Sequence, residues 1–589
     1  MRRLLRYLKG FKKEVILGPF FKLIEAIFEL IVPLVMAQII DVGIPRGDRR
    51  YVLLMIGLMV LLGIVGLGCA LTCQYFASRA SQGFGTVVRN ALFHHINGFS
   101  HAEIDRFGTP SLITRLNNDV NQLQLAVAMC IRLATRAPFL IIGAAVMAVL
   151  IDWRMSLIFF VAMILIALTL YLIMTRSVPF YRTIQRFLDR ISRVTRENLS
   201  GVRVIRAFSR QTAEKSRFAD TSDELMRASV RVGKLSALLN PLTYLLVNGA
   251  ILLILWFGGL RVNTGGLLQG EVIALVNYMT TIMLALIVLA NLVVIFTKAA
   301  ASATRVSEVL QTESSIRDDP QAGVPQPEVQ HSNDSITPKV AFCNVSFSYT
   351  GSDEYCLSDI NLCINPGETV GVIGGTGAGK STLVSLIPRF YDPVKGEVLI
   401  DGQPVKQWPI ETLRKRIGIV PQTAVLFSGT LRENLLWGDE KATDEQLAAA
   451  LEIAQAAAFV DELPDGYDTR IEQGGKNLSG GQRQRLTIAR ALVRRPDILI
   501  LDDSASALDF ATDLQLRRAL RQGTDGMTVF LVSQRANTVK SADRIVVLDD
   551  GMLAGVGTHT ELLNTCEAYR EICLSQLSQD ELDREGVQR

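Results

Sequence analysis

Gly374-Gly-Thr-Gly-Ala-Gly-Lys-Ser-Thr382 fits the phosphate-cradling pattern G-x-x-x-x-G-K-[ST]. Gly374 and Gly379 are its outer glycines, Gly375, Thr376, Gly377 and Ala378 fill the turn, and Lys380 and Ser381 close it. The residues before it, Glu368–Ile373, read as a short buried strand, and Thr382–Ile387 read as the start of an amphipathic helix. Glycines let backbone N–H groups curl around a phosphate, and a helix N-terminus adds its positive dipole end. Lys380 is expected to reach the β- and γ-phosphates, and the Ser381 hydroxyl to hold Mg²⁺. A nucleotide site built on an α/β sheet is the first expectation.

Around that site the chain is too long for one core, at 589 residues, so two or more domains are expected. A hydrophobic content of 49%, a mean hydropathy of +0.28 and a charged fraction of 20% describe a membrane half joined to a water-soluble half. The net charge of +4 is too weak to argue for a nucleic-acid partner. Eight cysteines stand singly, without C-x-x-C pairs or metal-ligand spacing, and read as buried reduced thiols.

Upstream, apolar runs occupy Val15–Ile44, Tyr51–Phe76, Phe139–Ile151, Leu157–Met174, Pro241–Leu260 and Val272–Phe296. With their flanks each can span a ~30 Å hydrocarbon core. Six spans put both ends on one side, so the basic amphipathic start Met1–Lys13 and the nucleotide domain both face the cytoplasm. That start reads as an interfacial helix lying on the lipid bilayer. Helical pattern continues far beyond the apolar runs: between Pro45 and Pro110, from Leu157 to Arg210 apart from Pro179, and from Gln211 to Leu260 apart from Pro241. The helices are therefore expected to extend into the cytoplasm as antiparallel pairs. They turn near Asp105–Thr109 and Ser209–Ala213, tips able to pass force to the nucleotide domain or to serve as plain surface loops. Glu25 and Glu29 sit one turn apart in the first span, behind Lys22. They are open to three readings: contact with a cationic substrate, an internal Lys22–Glu25 pair, or a position near the headgroups.

A Pro-, Gln-, Asp- and Ser-rich linker, 312–338, separates a transmembrane domain, 1–311, from a nucleotide domain, 339–589. In the latter, Val340–Tyr349 alternates as a strand, and Ile417–Gln422, Asn477–Gln482, the apolar strand Ile498–Asp503 and Ser506–Asp509 follow the glycine-rich loop. Leu478-Ser-Gly-Gly-Gln482 between that loop and the acidic strand closely resembles the signature of ABC transporter ATPase domains. With six spans ahead of it, the whole chain resembles an exporter-type, multidrug-exporter-like half-transporter. The implied architecture is a six-helix α transmembrane domain with long cytoplasmic extensions, followed by an α/β ATP-binding cassette. Phe107–Asp119 and Phe208–Phe218 resemble its coupling regions less sharply.

The resemblance implies roles for particular residues. Tyr349 stacks on adenine, Gln422 reaches Mg²⁺ and the attacking water, and Asp502 holds Mg²⁺ through water. Ser479, Gly480, Gly481 and Gln482 bind the γ-phosphate of ATP held by the opposite subunit. Two positions depart from the family pattern. The catalytic glutamate after Asp502 is here Asp503, whose shorter arm draws the carboxylate away from the water. The histidine expected after the next strand is here Gln534, which cannot shuttle a proton. The five histidines stand at 94, 95, 101, 331 and 559. Both losses fall on the site built from this chain's own glycine-rich loop, whereas its signature is intact. The resulting expectation is the degenerate-site half of a heterodimeric exporter in the plasma or inner membrane of a bacterium, working with a second half-transporter. Its mainly aliphatic spans, with scattered Gln38, Asn248, Asn277 and Asn291, suit hydrophobic or amphipathic small molecules. The alternatives are a homodimeric lipid or peptide exporter and an ATP-gated channel or regulatory subunit.

Overall fold

The computed structural model describes residues 4–318, 337–349, 354–504, 508–524 and 526–576. Residues 319–336 of the expected linker, and Ser506 and Ala507 of the expected Ser506–Asp509 segment, lie outside the described residues. The chain forms two compact units.

In the first unit six helices are long and apolar enough to cross a membrane: Leu4–Arg46, Arg49–Asn97, Thr109–Ile151, Trp153–Ser200, Gln211–Asn263 and Gln269–Gln311. Their regular segments are α1 (Lys12–Gln38), α2 (Arg49–Asn97), α3 (Arg136–Ile151), α4 (Trp153–Ser200), α5 (Gln211–Ala237), α6 (Leu239–Asn263) and α7 (Gln269–Gln311). At 49 residues α2 is ~74 Å long, more than twice the hydrocarbon thickness. Pro179 lies inside α4 without ending it. The fifth span breaks at Leu238, three residues before Pro241, which then sits in the first turn of α6 where a missing N–H is tolerated. The shared core is built on small side chains, with Ala26, Ala144, Ala148 and Ala274 fully buried beside Ile166, Ile254 and Tyr278. Small residues let helices approach closely. The buried Tyr278 hydroxyl donates to the Leu30 carbonyl at 2.6 Å.

The two glutamates of the first span are already partnered. Lys22 Nζ contacts both Glu25 carboxylate oxygens at 2.6 and 2.7 Å, and Arg136 donates to Glu29 at 2.6 Å. The second pair joins positions 107 residues apart and could not be read from local spacing.

The second unit holds 313–589 and also takes in residues 98–109, which the sequence reading placed with the spans. Within it the short helix His101–Phe107 starts on a Ser100/Glu103 capping box. His101 stacks on Phe390 with ring centroids 4.3 Å apart, and Asp105 accepts a 2.7 Å hydrogen bond from the Tyr391 hydroxyl. Buried Glu103 accepts from the Ser315 N–H at 3.2 Å.

Among the described residues nine strands of four or more residues organise this unit: β1 (Val340–Phe347), β2 (Leu357–Ile364), β3 (Thr369–Gly374), β4 (Lys395–Ile400), β5 (Ile417–Val420), β6 (Ile498–Asp502), β7 (Thr528–Val532), β8 (Arg544–Asp549) and β9 (Met552–Gly557). One sheet runs β9-β8-β3-β7-β6-β5 and is parallel apart from its β9 edge. A second, antiparallel, places β1 between β2 and β4. The expected alternation along β1 fails at its middle. Asn344 takes φ +49° and the pairing register shifts there, so buried residues resume out of phase.

All eight cysteines are free thiols, but the expectation that they are buried holds for only four: Cys69, Cys73, Cys566 and Cys573. Cys130, Cys343 and Cys363 are exposed and Cys356 is half-buried. Cys343 and Cys363 lie on the open face of the antiparallel sheet, where side chains of alternate residues meet solvent.

Candidate nucleotide site

Parallel strands deliver the site's residues to one sheet edge. Val372 pairs with Val532, and Val532 with Asp502, so the carboxyl ends of β3, β7 and β6 stand side by side. Ligands of open α/β sheets bind at that edge. The loop leaving β3 can be made only with glycine at its two ends. A Cβ on Gly374 would lie 2.2 Å from the Leu548 carbonyl oxygen. Gly379 takes φ +92°, with a Cβ placed 2.9 Å from the Cys356 carbonyl oxygen. Between them, Gly375, Thr376, Gly377 and Ala378 form a turn closed by Ala378 N–H on the Gly375 carbonyl at 3.3 Å. The helix Lys380–Leu386 then starts directly behind the turn.

Lys380 is buried and curls back over the loop, donating to the Gly374 and Gly375 carbonyls at 2.9 and 2.6 Å. Burial pulls its ammonium below the usual lysine range, against the upward pull of Asp503 and Asp502. Ser381 Oγ donates to Asp502 at 2.9 Å. Burial, with Asp503 close by, pushes the Asp502 carboxyl above the usual range, while Ser381 and Lys380 oppose the shift. Asp503 follows with φ +45°, a left-handed conformation that Asp tolerates better than most residues. Its backbone N–H donates to Val532, and its carboxylate accepts from Gln422 Nε2 at 3.3 Å. Thr376 donates to Gln534 Oε1 at 3.4 Å, so the altered position after β7 meets the glycine-rich loop directly.

Tyr349 stands beside this group, its hydroxyl 3.0 Å from Thr382 Oγ1. Its ring packs edge-on against Phe347 and Tyr391, at 4.9 and 5.3 Å. Ser479 and Gln482 use their side chains on each other in a capping box: Gln482 N–H to Ser479 Oγ at 3.2 Å, and Ser479 N–H to Gln482 Oε1 at 2.9 Å. They open the helix Gly480–Val493, with Gly480 and Gly481 in its first turn, where backbone N–H groups lack partners within the helix. The structure thus gathers Gly374–Thr382, Tyr349, Gln422, Asp502, Asp503 and Gln534. It forms the Ser479–Gln482 cap as a separate helix start.

One residue at the site carries no sequence signal. Gln576, on the helix Glu567–Gln576, donates to the Gln534 carbonyl and accepts from the Ala536 N–H, both at 2.8 Å. It clamps the backbone at the altered position and just after it, from 42 residues away.

The residues fit a magnesium nucleotide. Gly375 and Gly377 leave open space beside the turn, and the side-chain oxygens of Ser381 and Asp502 are hard donors, which suit Mg²⁺. Among the described residues no group of three or more His, Cys, Asp or Glu gathers to hold a metal alone. An ion here would rest on Ser381, Asp502, Gln422 and the phosphates.

Comparison with known proteins places these features. The family model for the ABC transporter transmembrane region matches residues 15–302, and that described as ABC transporter matches 357–506. An uncharacterised ABC transporter ATP-binding protein of Mycobacterium tuberculosis is 38% identical over 97% of both chains. YfiB of Bacillus subtilis, likewise an uncharacterised ABC transporter ATP-binding protein, is 37% identical over 98% of this chain and 99% of its own. An ATP-dependent lipid A-core flippase of Hahella chejuensis is 32% identical over 92% of this chain and 90% of its own. The ATP-bound structure of a bacterial Atm1-family ABC exporter superposes with a TM-score of 0.79 at 25% identity, covering 96% of this chain and all of that one.

Proposed function

Because this chain belongs to the ABC transporter family, and is a multi-pass, exporter-type half-transporter within it, we propose that it serves as the degenerate-site half of a heterodimer. Its cargo is an amphipathic or hydrophobic small molecule, moved outward across a bacterial cell membrane. The observation that carries this reading is the geometry of the two altered residues: Gln534 meets the glycine-rich loop at Thr376, and Asp503 accepts from Gln422.

In this reading ATP is held by Lys380 and the loop amides, with Tyr349 against the base. Ser381, Asp502 and Gln422 would hold Mg²⁺, which would supply positive charge against the phosphates. Gln422 orients water toward Asp503, whose short arm leaves it poorly placed to take the proton. Gln534 donates a hydrogen bond to phosphate but takes on no charge. The Ser479–Gln482 cap, whose first-turn N–H groups suit an anion, completes the partner's site, where a glutamate and a histidine perform turnover. ATP draws the two nucleotide domains together and the spans open outward, and hydrolysis in the competent site resets them.

The purified chain, verified as a homodimer by light scattering, is expected to bind Mg-ATP yet turn over below ~0.1 s⁻¹. That is a hundredfold under the ~10 s⁻¹ median of enzymes. Hydrolysis near the median overturns the degenerate-site reading. A second reading, a homodimeric lipid exporter, is favoured by the relatives named as lipid A-core flippases, and brisk turnover by two identical copies would select it.

Gln576 gives a smaller effect. Gln576→Ala removes two neutral hydrogen bonds, each worth about 1 kcal/mol. Calorimetric titration should show the preference for ATP over ADP falling about fivefold, with ADP affinity unchanged.

A further inference from the structure

We propose that the antiparallel sheet of the second unit carries a binding site for a soft monovalent cation of the copper(I) type, formed by the thiols of Cys343 and Cys363. The proposal goes beyond the degenerate-site reading and does not depend on it. Cys343 is on β1, the central strand, and Cys363 is on its neighbour β2. The ladder sets Ala341 opposite Cys363, so Cys343, two residues further along β1, projects from the same face one diagonal step away. Both thiols are free and exposed. Ala341, which flanks both, is too small to screen one from the other.

A third group gives this face its charge. Glu397 on β4 stands directly opposite Cys343. Partial burial pushes the Cys343 thiol above its usual range, and Cys363 and Glu397 add to the shift, so the three share one electrostatic neighbourhood. Without a cation the thiols stay protonated, and the carboxylate's charge draws one in. Arg544 donates to the Cys363 carbonyl at 2.8 Å and brings a positive charge to the same end of β2.

Spacing and ligand count choose the ion. Diagonal neighbours stand about 7–8 Å apart, with Cβ atoms somewhat closer. A disulfide needs Cβ atoms within about 3.5–4.5 Å, so the pair does not close on itself. Two metal–sulfur bonds of ~2.3 Å laid end to end hold sulfurs ~4.6 Å apart, which a diagonal pair can span. Among the described residues no third His, Cys, Asp or Glu joins the two thiols in a group able to hold a metal. Structural zinc takes four ligands. Thiolates select soft ions, and a closed-shell monovalent ion is satisfied by two of them in line. Each thiol gives its proton to solvent and one sulfur electron pair to the ion. Two RSH and M⁺ become [M(SR)₂]⁻ and two H⁺, with no change of oxidation state. The occupied site ties β2 to the strand whose chain runs on to Tyr349.

The test is anaerobic competition for copper(I) between the full chain in phosphatidylcholine nanodiscs and a chromophoric copper(I) chelator, without nucleotide. Wild type should withdraw one ion per chain. Cys343→Ser and Cys363→Ser should each weaken binding at least about a hundredfold, since even an outer partner of a metal ligand is worth about 10–100-fold. Cys130→Ser combined with Cys356→Ser, which removes two other accessible thiols, should bind as wild type does. X-ray absorption of the loaded wild type, which needs no variant, should show two sulfur neighbours and no nitrogen or oxygen. A wild type that leaves the ion with the chelator overturns the proposal, as does either single serine variant binding like wild type, or loss of binding in the Cys130/Cys356 variant. Nitrogen or oxygen neighbours, or displacement by equimolar zinc(II), overturn the two-thiolate site. A Cys343–Cys363 disulfide in chain alkylated at lysis overturns it in favour of a redox pair.

Discussion

Asp503→Glu combined with Gln534→His raises the ATPase rate of the homodimer about a hundredfold over wild type. The added methylene returns the carboxylate toward the water that Gln422 orients, and misplacement by about an ångström is worth that factor. Asp503→Glu alone is expected to recover most of the gain, since proton abstraction is the missing function, and the histidine adds the charge an amide cannot supply. The double variant should also be slightly less stable. Asp503 takes φ +45°, and a longer side chain without local hydrogen bonding tolerates the left-handed region less well, at a cost of about 1 kcal/mol. Faster turnover with a lower Tm is a paired signature that a general stabilising change would not produce. Unchanged turnover in a folded double variant places the defect elsewhere.

Lys380→Met lowers Mg-ATP affinity about a hundredfold. The ammonium now satisfies the Gly374 and Gly375 carbonyls at 2.9 and 2.6 Å and is the cation that opposes the raised pKa of Asp502. Each charge-assisted hydrogen bond to phosphate contributes about 1.5–3 kcal/mol, and two of them account for the loss. Methionine keeps the apolar stem, so the loop retains its packing and circular dichroism should be unchanged. Titration calorimetry at constant Mg²⁺ reads the affinity. A folded Lys380→Met chain that binds ATP as wild type does would show that Lys380 does not reach the nucleotide.

What the sequence disclosed follows from how local each constraint is. Gly374 and Gly379 were legible because only glycine permits those backbone paths, and Leu478–Gln482 because a helix start with two glycines has few other uses. The six spans were legible because bilayer thickness sets a minimum apolar length. Long-range pairings were not. Nothing near Glu29 announces Arg136, and nothing near Gln534 announces Gln576. Membership of residues 98–109 in the second unit depends on Phe390, Tyr391 and Ser315, all distant in the chain. The β1 alternation failed for a local reason, a positive φ at Asn344, which an asparagine permits without requiring. Exposed Cys343 and Cys363 show the limit of composition: a thiol's usual burial yields to the strand face it lands on.

The division of labour is tested most directly by what this chain is bound to in its own membrane. Isolate the assembly under conditions that preserve it and identify its subunits by mass spectrometry. The expected result is a one-to-one complex with a second half-transporter that has glutamate and histidine where this chain has Asp503 and Gln534. An assembly of two copies of this chain and no other would contradict it.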